Sequence, residues 1–217
     1  MKKNSANPLL IIFDFDGVLA DSKSAYTIQM QRTLEMFANK EISAKEIRSR
    51  VGNTDQRDDF IEFLGTSDSK IIESAIEIYV EFTEEYAYMR NLYPGVREVL
   101  EKLHKDHFTG IVSRKSQKRM EYWLKHFKIT HLFDITIGTL ERTKTPAILK
   151  IMNQLEMEKN RTIMVGDTEF DIQSAKDAEV HSILALYGAS EPEKVLKLNP
   201  DYTISHITEV LNVTNEF

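Results

Sequence analysis

The chain contains no cysteine, which excludes disulfides, thiolate metal sites and a thiol nucleophile, and fits a reducing compartment such as the cytoplasm. Positive charge is in deficit. With 28 lysines and arginines against 34 aspartates and glutamates the formal net charge is −6, so neither nucleic acid nor an anionic membrane surface is expected as the main partner. A small anionic substrate would need cations gathered locally. Long apolar runs are missing too. The N-terminal run in PLLIIF stops at Asp14, short of the roughly 7–15 residues of a signal-peptide core, and no later segment approaches the length of a membrane span. Glycine and proline number only eight and five, far from fibrous or disordered compositions. The six histidines, at 104, 107, 126, 131, 181 and 206, show no ligand spacing such as HxxxH. These exclusions leave a globular chain of 217 residues, long enough for one good core and a smaller second unit.

What is present is a set of short, continuously apolar runs, the pattern of strands covered on both faces in a parallel sheet. They fall at 9–13, 108–112, 162–165 and 182–186, with a weaker one at 135–137. Helical periodicity fills the gaps at 96–105, 117–127, 146–157 and 170–178. Strand and helix alternate, so the expected fold class is α/β, a doubly wound, Rossmann-like parallel sheet. The segment 22–89 breaks the alternation. It shows only helical periodicity and ends near Pro94 and Gly95, which predicts an all-helical cap domain at 21–89 inserted into a core of 1–20 and 90–217. Trp123 falls on the apolar side of its helical pattern, and the acidic run from Glu73 to Glu85 reads as a solvated helix face.

In open α/β sheets ligands bind beyond the carboxyl ends of the strands. The residues just after the apolar runs are Asp14 and Asp16, Ser113 and Arg114, and Gly166, Asp167 and Asp171, while Lys144 precedes a helix. Strand alternation sends Asp14 and Asp16 to one side and Phe15 away. Clustered carboxylates without His or Cys favour a hard cation, and Mg2+ suits a few carboxylates with open water positions. Such an ion would let Asp14, Asp16 and Asp167 stay ionised side by side. Lys144 and Ser113 could then contact phosphoryl oxygens while a carboxylate attacks phosphorus. A purely local account stands beside this one: Asp14 and Asp16 as turn and cap residues, and Thr168 with Asp171 as a capping box.

Four motifs in order resemble the haloacid dehalogenase superfamily. DFDGVL at 14–19 matches its first motif, and GIVS ending at Ser113 its second. Lys144 in KTPAILK offers the third and GDTEFD at 166–171 the fourth. The resemblance is nearest to the phosphoglycolate phosphatase and β-phosphoglucomutase branch, and LYPGVREVLEKL at 92–103 is similar to its re-entry segment after a small helical cap. It implies a phosphatase acting on a small phosphorylated metabolite through an aspartyl-phosphate, with the cap closing over the site. Asp14 would be the nucleophile and Asp16 the general acid and base. Mg2+ would be held by Asp14, Asp167 and the Asp16 backbone carbonyl, with Asp171 in support. Ser113 and Lys144 would bind the phosphoryl group. Two positions depart from the usual pattern: Arg114 replaces the common Asn, offering a contact to substrate or to a cap carboxylate, and KTPA replaces KPxP.

Other activities of the superfamily fit less well. A haloacid dehalogenase needs neither Asp16 nor Mg2+, and a phosphonoacetaldehyde hydrolase needs a cap lysine shortly after a glycine like Gly52, where GNTDQRDD has none. A sugar-phosphate mutase of the β-phosphoglucomutase type uses the same motifs and stays open. A phospho-receiver domain lacks a helical insertion, and a non-catalytic binding protein would not need every catalytic position filled. Specificity is expected in cap residues, including the loop from Gly52 to Arg57, and the protein is expected to be a monomer or homodimer.

Overall fold

The computed structural model describes residues 3–37, 42–50, 54 and 56–217. The chain divides into two compact units, 1–20 with 92–217, and 21–91. In the first unit β1 (Leu10–Phe13) leads to β2 (Ala20–Asp21). The chain returns through β3 (Asn91–Leu92) and continues as α5 (Val96–Asp106), β4 (Phe108–Ser113), α6 (Gln117–His126), β5 (Ile135–Gly138), α7 (Thr145–Leu155) and β6 (Thr162–Gly166). Then come α8 (Glu169–Asp177), β7 (His181–Ala185), α9 (Pro192–Leu196), β8 (Tyr202–Ile204) and α10 (Val210–Thr214). The second unit holds α1 (Lys23–Phe37), α2 (Ala44–Arg50), α3 (Gln56–Leu64) and α4 (Ser69–Glu85).

Six strands form one sheet in the order β5-β4-β1-β6-β7-β8, each neighbouring pair parallel. β1 sits inside it, with Phe13 level with Ile111 on one side and Val165 on the other. Leu10 through Phe13 are all fully buried, which explains why that run is apolar at every position rather than at alternate ones. Leu10 and Ile12 join Val112 and Met164 in a core closed by Ile148, Ile151 and Met152 of α7 and Ala175 of α8. Ile11, Phe13, Ile111 and Ile163 are equally buried, so the opposite face is covered as well. The α/β expectation is met. β8 was not foreseen: three residues, with Tyr202 half-buried, Thr203 exposed and Ile204 buried, are too short for a periodicity to register. Trp123 is fully buried, as its position in the helical pattern implied.

The four helices of the second unit close a core of their own around Met30, Leu34, Phe60, Ile72, Ala75 and Tyr79. α4 buries Ile72, Ala75, Tyr79 and Thr83, whereas Glu73, Glu77, Glu81, Glu84 and Glu85 are exposed, the solvated acidic face read from sequence. Its interior also holds charge. Asp59 is 1% exposed and accepts from the Tyr26 hydroxyl (2.6 Å), Arg50 Nε (2.6 Å) and the Thr54 hydroxyl (2.5 Å). Three donors on one carboxylate offset its desolvation and tie α1, α2 and α3 together. Among the described residues no helix is long and apolar enough to cross a membrane.

A second buried ion pair braces the sheet. Lys3 Nζ donates to both oxygens of Asp134, at 2.9 and 2.8 Å, and the same carboxylate accepts the Thr109 backbone N–H at 2.9 Å. The lead-in to β1 is thereby linked to the lead-in to β5 beside the start of β4. Both side chains are under 5% exposed, so removing one partner strands the other in a low-dielectric site. Lys3→Met is expected to cost about 3 kcal/mol of folding free energy, read as a lower midpoint in urea denaturation with unchanged slope.

Candidate active site

The parallel register brings the carboxyl ends of β1, β4 and β6 side by side, and the chemistry-bearing residues follow from that alignment. Asp14 is the first residue past β1, and its backbone N–H donates to Val165 O at 2.9 Å, continuing the ladder with β6 by one step. Asp167 is the first residue past β6. Ser113 closes β4, level with Gly138 at the end of β5. Asp14, Ser113, Lys144, Asp167 and Asp171 are all buried, an unusual concentration of charge for a protein interior.

Lys144 is the central group. Its ammonium donates to Asp171 Oδ1 at 2.6 Å and lies 2.9 Å from Asp14 Oδ1, with 1% of its side chain exposed. The two acids push its pKa up although burial alone would lower it. Lys144 is the N-cap of α7, and Pro146 stands in the first turn, where its fixed φ and missing N–H are harmless. KTPA therefore starts the helix without displacing Lys144. The Lys144 backbone N–H donates to the Ser174 hydroxyl at 2.9 Å, so α8 holds the lysine by its main chain as well as its tip.

Asp171 forms the capping box read from sequence and also takes on a contact that was not foreseen. Its Oδ2 accepts from the backbone N–H groups of Asp167 (3.1 Å) and Thr168 (3.0 Å) and from the Thr168 hydroxyl (2.7 Å), completing a capping box at the start of α8. Its Oδ1 takes Lys144. One residue thus caps a helix and orients the lysine.

Among the described residues the clustered potential metal ligands are Asp14, Asp167 and Asp171, which offer oxygens all within 4.8 Å of one another. Burial, with Asp171 and Asp16 nearby, outweighs Lys144 and raises the Asp14 carboxyl to about 6. Three buried carboxylates and no nitrogen or sulfur donor fit a hard divalent cation. Asp14 and Asp167 are the better ligands, since both Asp171 oxygens already receive donors. The Asp16 carboxylate stands outside this cluster, and the expectation of a metal contact there rested on its backbone carbonyl. Its Oδ2 pairs with Lys115 Nζ instead.

Lys115 was missed in the sequence. It follows Ser113 and Arg114 in SRKS, and its signal was a second cation on the loop after β4. Ser174 was missed too, although it lies three residues after Asp171 and so on the same buried face of α8. Arg114 sets its guanidinium over the Phe170 ring, 4.7 Å from the centroid, which ties the loop after β4 to the start of α8. Of the loop expected to govern specificity, Gly52, Asn53 and Asp55 lie outside the described residues.

Residues 11–185 match the family model of haloacid dehalogenase-like hydrolases. The chain belongs to this family. Among the hydrolases it resembles is a phosphoglycolate phosphatase of Vibrio parahaemolyticus, 29% identical, with 94% of this chain and 95% of that protein aligned. Another phosphoglycolate phosphatase, from Pseudomonas fluorescens, is 26% identical over 94% of this chain and 79% of its own length. The crystal structure of a Clostridium difficile protein provisionally assigned as a phosphatase superposes with a TM-score of 0.82 at 27% identity, covering 96% of this chain and 99% of that one.

The raised Asp14 carboxyl carries a signed consequence for this hydrolase. Between 3.8 and about 6 the folded state binds a proton that the unfolded state has released, so this group makes metal-free protein less stable as pH rises through that window. Asp14→Asn is therefore expected to raise the thermal midpoint of metal-free protein at pH 7 to 8 and to leave it nearly unchanged at pH 4, as followed by circular dichroism.

Proposed function

We propose that the protein is a Mg2+-dependent phosphatase that hydrolyses a small phosphate monoester, with phosphoglycolate the first substrate to test, through an aspartyl-phosphate on Asp14. The observation that carries this reading is the buried Lys144 between Asp14 and Asp171, beside Asp167. It joins an ionisable oxygen nucleophile, a fixed cation for phosphoryl oxygens and a carboxylate set suited to a divalent ion. The phosphatases among the relatives support the same chemistry.

Asp14 and Asp167 would hold Mg2+, with the Asp16 backbone carbonyl and with Asp171 in support; the bound ion supplies charge neutralisation for the carboxylates and the phosphoryl oxygens. Asp14 Oδ1 receives both the Lys144 ammonium and the Phe15 backbone N–H, at 2.9 and 2.7 Å, so Oδ2 is the oxygen that attacks phosphorus. Lys144 and the Ser113 hydroxyl orient the phosphoryl group in line with that oxygen. As the bond from phosphorus to the leaving oxygen breaks, Asp16 gives that oxygen its proton. Asp16, now ionised, then takes a proton from the water that attacks the Asp14 acyl phosphate, which releases inorganic phosphate and restores both carboxyl groups. Arg114, steadied by Phe170, is the candidate contact for the rest of the substrate.

The decisive measurement is phosphate release from phosphoglycolate and a panel of metabolite monoesters, with and without Mg2+ and with and without a sugar bisphosphate. Wild type should turn over only with the metal, and Asp14→Asn should lose at least roughly a thousandfold in kcat, as loss of a covalent nucleophile does. Full activity of that variant, or activity indifferent to chelation, overturns the mechanism. Turnover that appears only as isomerisation with the bisphosphate present would make the protein a mutase.

A further inference from the structure

The turn that carries Asp16 is closed by its own hydrogen bonds, Gly17 N–H to Ala20 O at 2.9 Å and the Leu19 and Ala20 N–H groups to Phe15 O at 3.0 and 2.9 Å. Gly17 sits at φ +79°, and a Cβ there would fall 2.1 Å from Asp167 Oδ2, so only glycine allows the turn to lie against that carboxylate. These bonds give the turn its shape and leave its placement to outside contacts. Those come from Lys115, which pairs with the Asp16 carboxylate, from Tyr93 and from the loop after β7. The Tyr187 hydroxyl donates to Val18 O at 2.9 Å. The next residue, Gly188, lies so close to Gly17 that a Cβ on it would be 1.8 Å from the Gly17 carbonyl oxygen. The Tyr187 ring meets Tyr93 edge-on, centroids 4.8 Å apart, and the Tyr93 N–H donates to Leu19 O at 3.0 Å. The turn is thereby gripped at Gly17, Val18 and Leu19 in succession.

We infer that Tyr187 is a positioning residue for Asp16: its hydroxyl, bonded to the Val18 carbonyl, fixes the turn so that the Asp16 carboxyl meets the leaving oxygen. The inference rests on the general-acid role proposed above for Asp16. Tyr187 touches no reacting atom, and its effect passes through the backbone of residues 16–18. Loss of the hydroxyl leaves the ring, its burial and the Tyr93 contact in place, so the fold keeps its packing while the turn gains freedom. Protonation of the leaving group is the step that suffers, because a proton donor must lie within hydrogen-bond reach of the atom it serves.

The esters used in the test differ in leaving group. An alkyl phosphate needs a proton donor, whereas 4-nitrophenyl phosphate leaves as a stabilised phenolate and needs little help. In Mg2+-loaded Tyr187→Phe, kcat/KM should fall about three- to tenfold on the alkyl ester, as for one neutral hydrogen bond, and less than about twofold on the aryl ester. The ratio is taken within one preparation, so a change in folded fraction cancels. Asp16→Asn should show the same selectivity with a larger loss, and adding Tyr187→Phe to it should cost nothing further, because the two act as one unit. Equal losses on the two esters in Tyr187→Phe, or a full additional loss in the double variant, overturn the inference while leaving Asp16 its role. Equal losses in Asp16→Asn overturn the general-acid role itself, and the inference falls with it.

Discussion

A group of carboxylates cannot be gathered in a protein interior unless something offsets their mutual repulsion and their lost hydration. In this protein the resident cation is Lys144, buried between Asp14 and Asp171, and much of the surrounding architecture serves to keep it there. α7 begins at the lysine, Ser174 grips its backbone, and the capping box of α8 aims Asp171 at its tip. The parallel order β4-β1-β6 brings Ser113, Asp14 and Asp167 to one edge. Even so, Asp14 remains raised to about 6, so one ammonium does not fully offset three buried acids. The residual imbalance is the electrostatic reason the site suits a divalent cation.

Much of this was legible because the strongest signals in the sequence are also the strongest physical constraints. A strand buried on both faces must be apolar at every position, and β1, β4, β6 and β7 all announce themselves within a residue or two. The acids at 14, 16 and 167 stood out by interrupting or ending such runs. β8 and the five-residue helices α9 and α10 are too short for periodicity to register, and their burial is decided by what they pack against. The roles of Lys115 and Ser174 were hard to read for another reason. Their partners, Asp16 and the Lys144 backbone, lie far away in sequence and meet them only through tertiary structure. Asp171 was legible twice over, as a local cap and as a member of a distant cluster, and its two oxygens divide between those tasks.

The two units meet the problem of interior polarity in similar ways. In the helical unit Asp59 is satisfied by a phenol, a guanidinium and a hydroxyl, and Arg90 is buried against Gln29, which in turn reaches Thr83. In the α/β unit Asp134 takes Lys3 and a backbone N–H. Each network joins residues from different elements, so each rewards one arrangement of those elements over others that would bury the same apolar area.

The interior place of β1 also sets an order of assembly. Residues 10–13 leave the ribosome before their neighbours in the sheet, which begin at residue 108 on one side and residue 162 on the other. Until those arrive, a strand apolar on both faces has no partner for its backbone and no cover for its side chains. The helical unit at 21–91 lies within that interval with a hydrophobic core of its own, and can compact while β1 waits. Such long-range pairing is slow and leaves adhesive surface exposed in the meantime. The segment that ends in Asp14 therefore stays open to non-native association until β4 and β6 have been made.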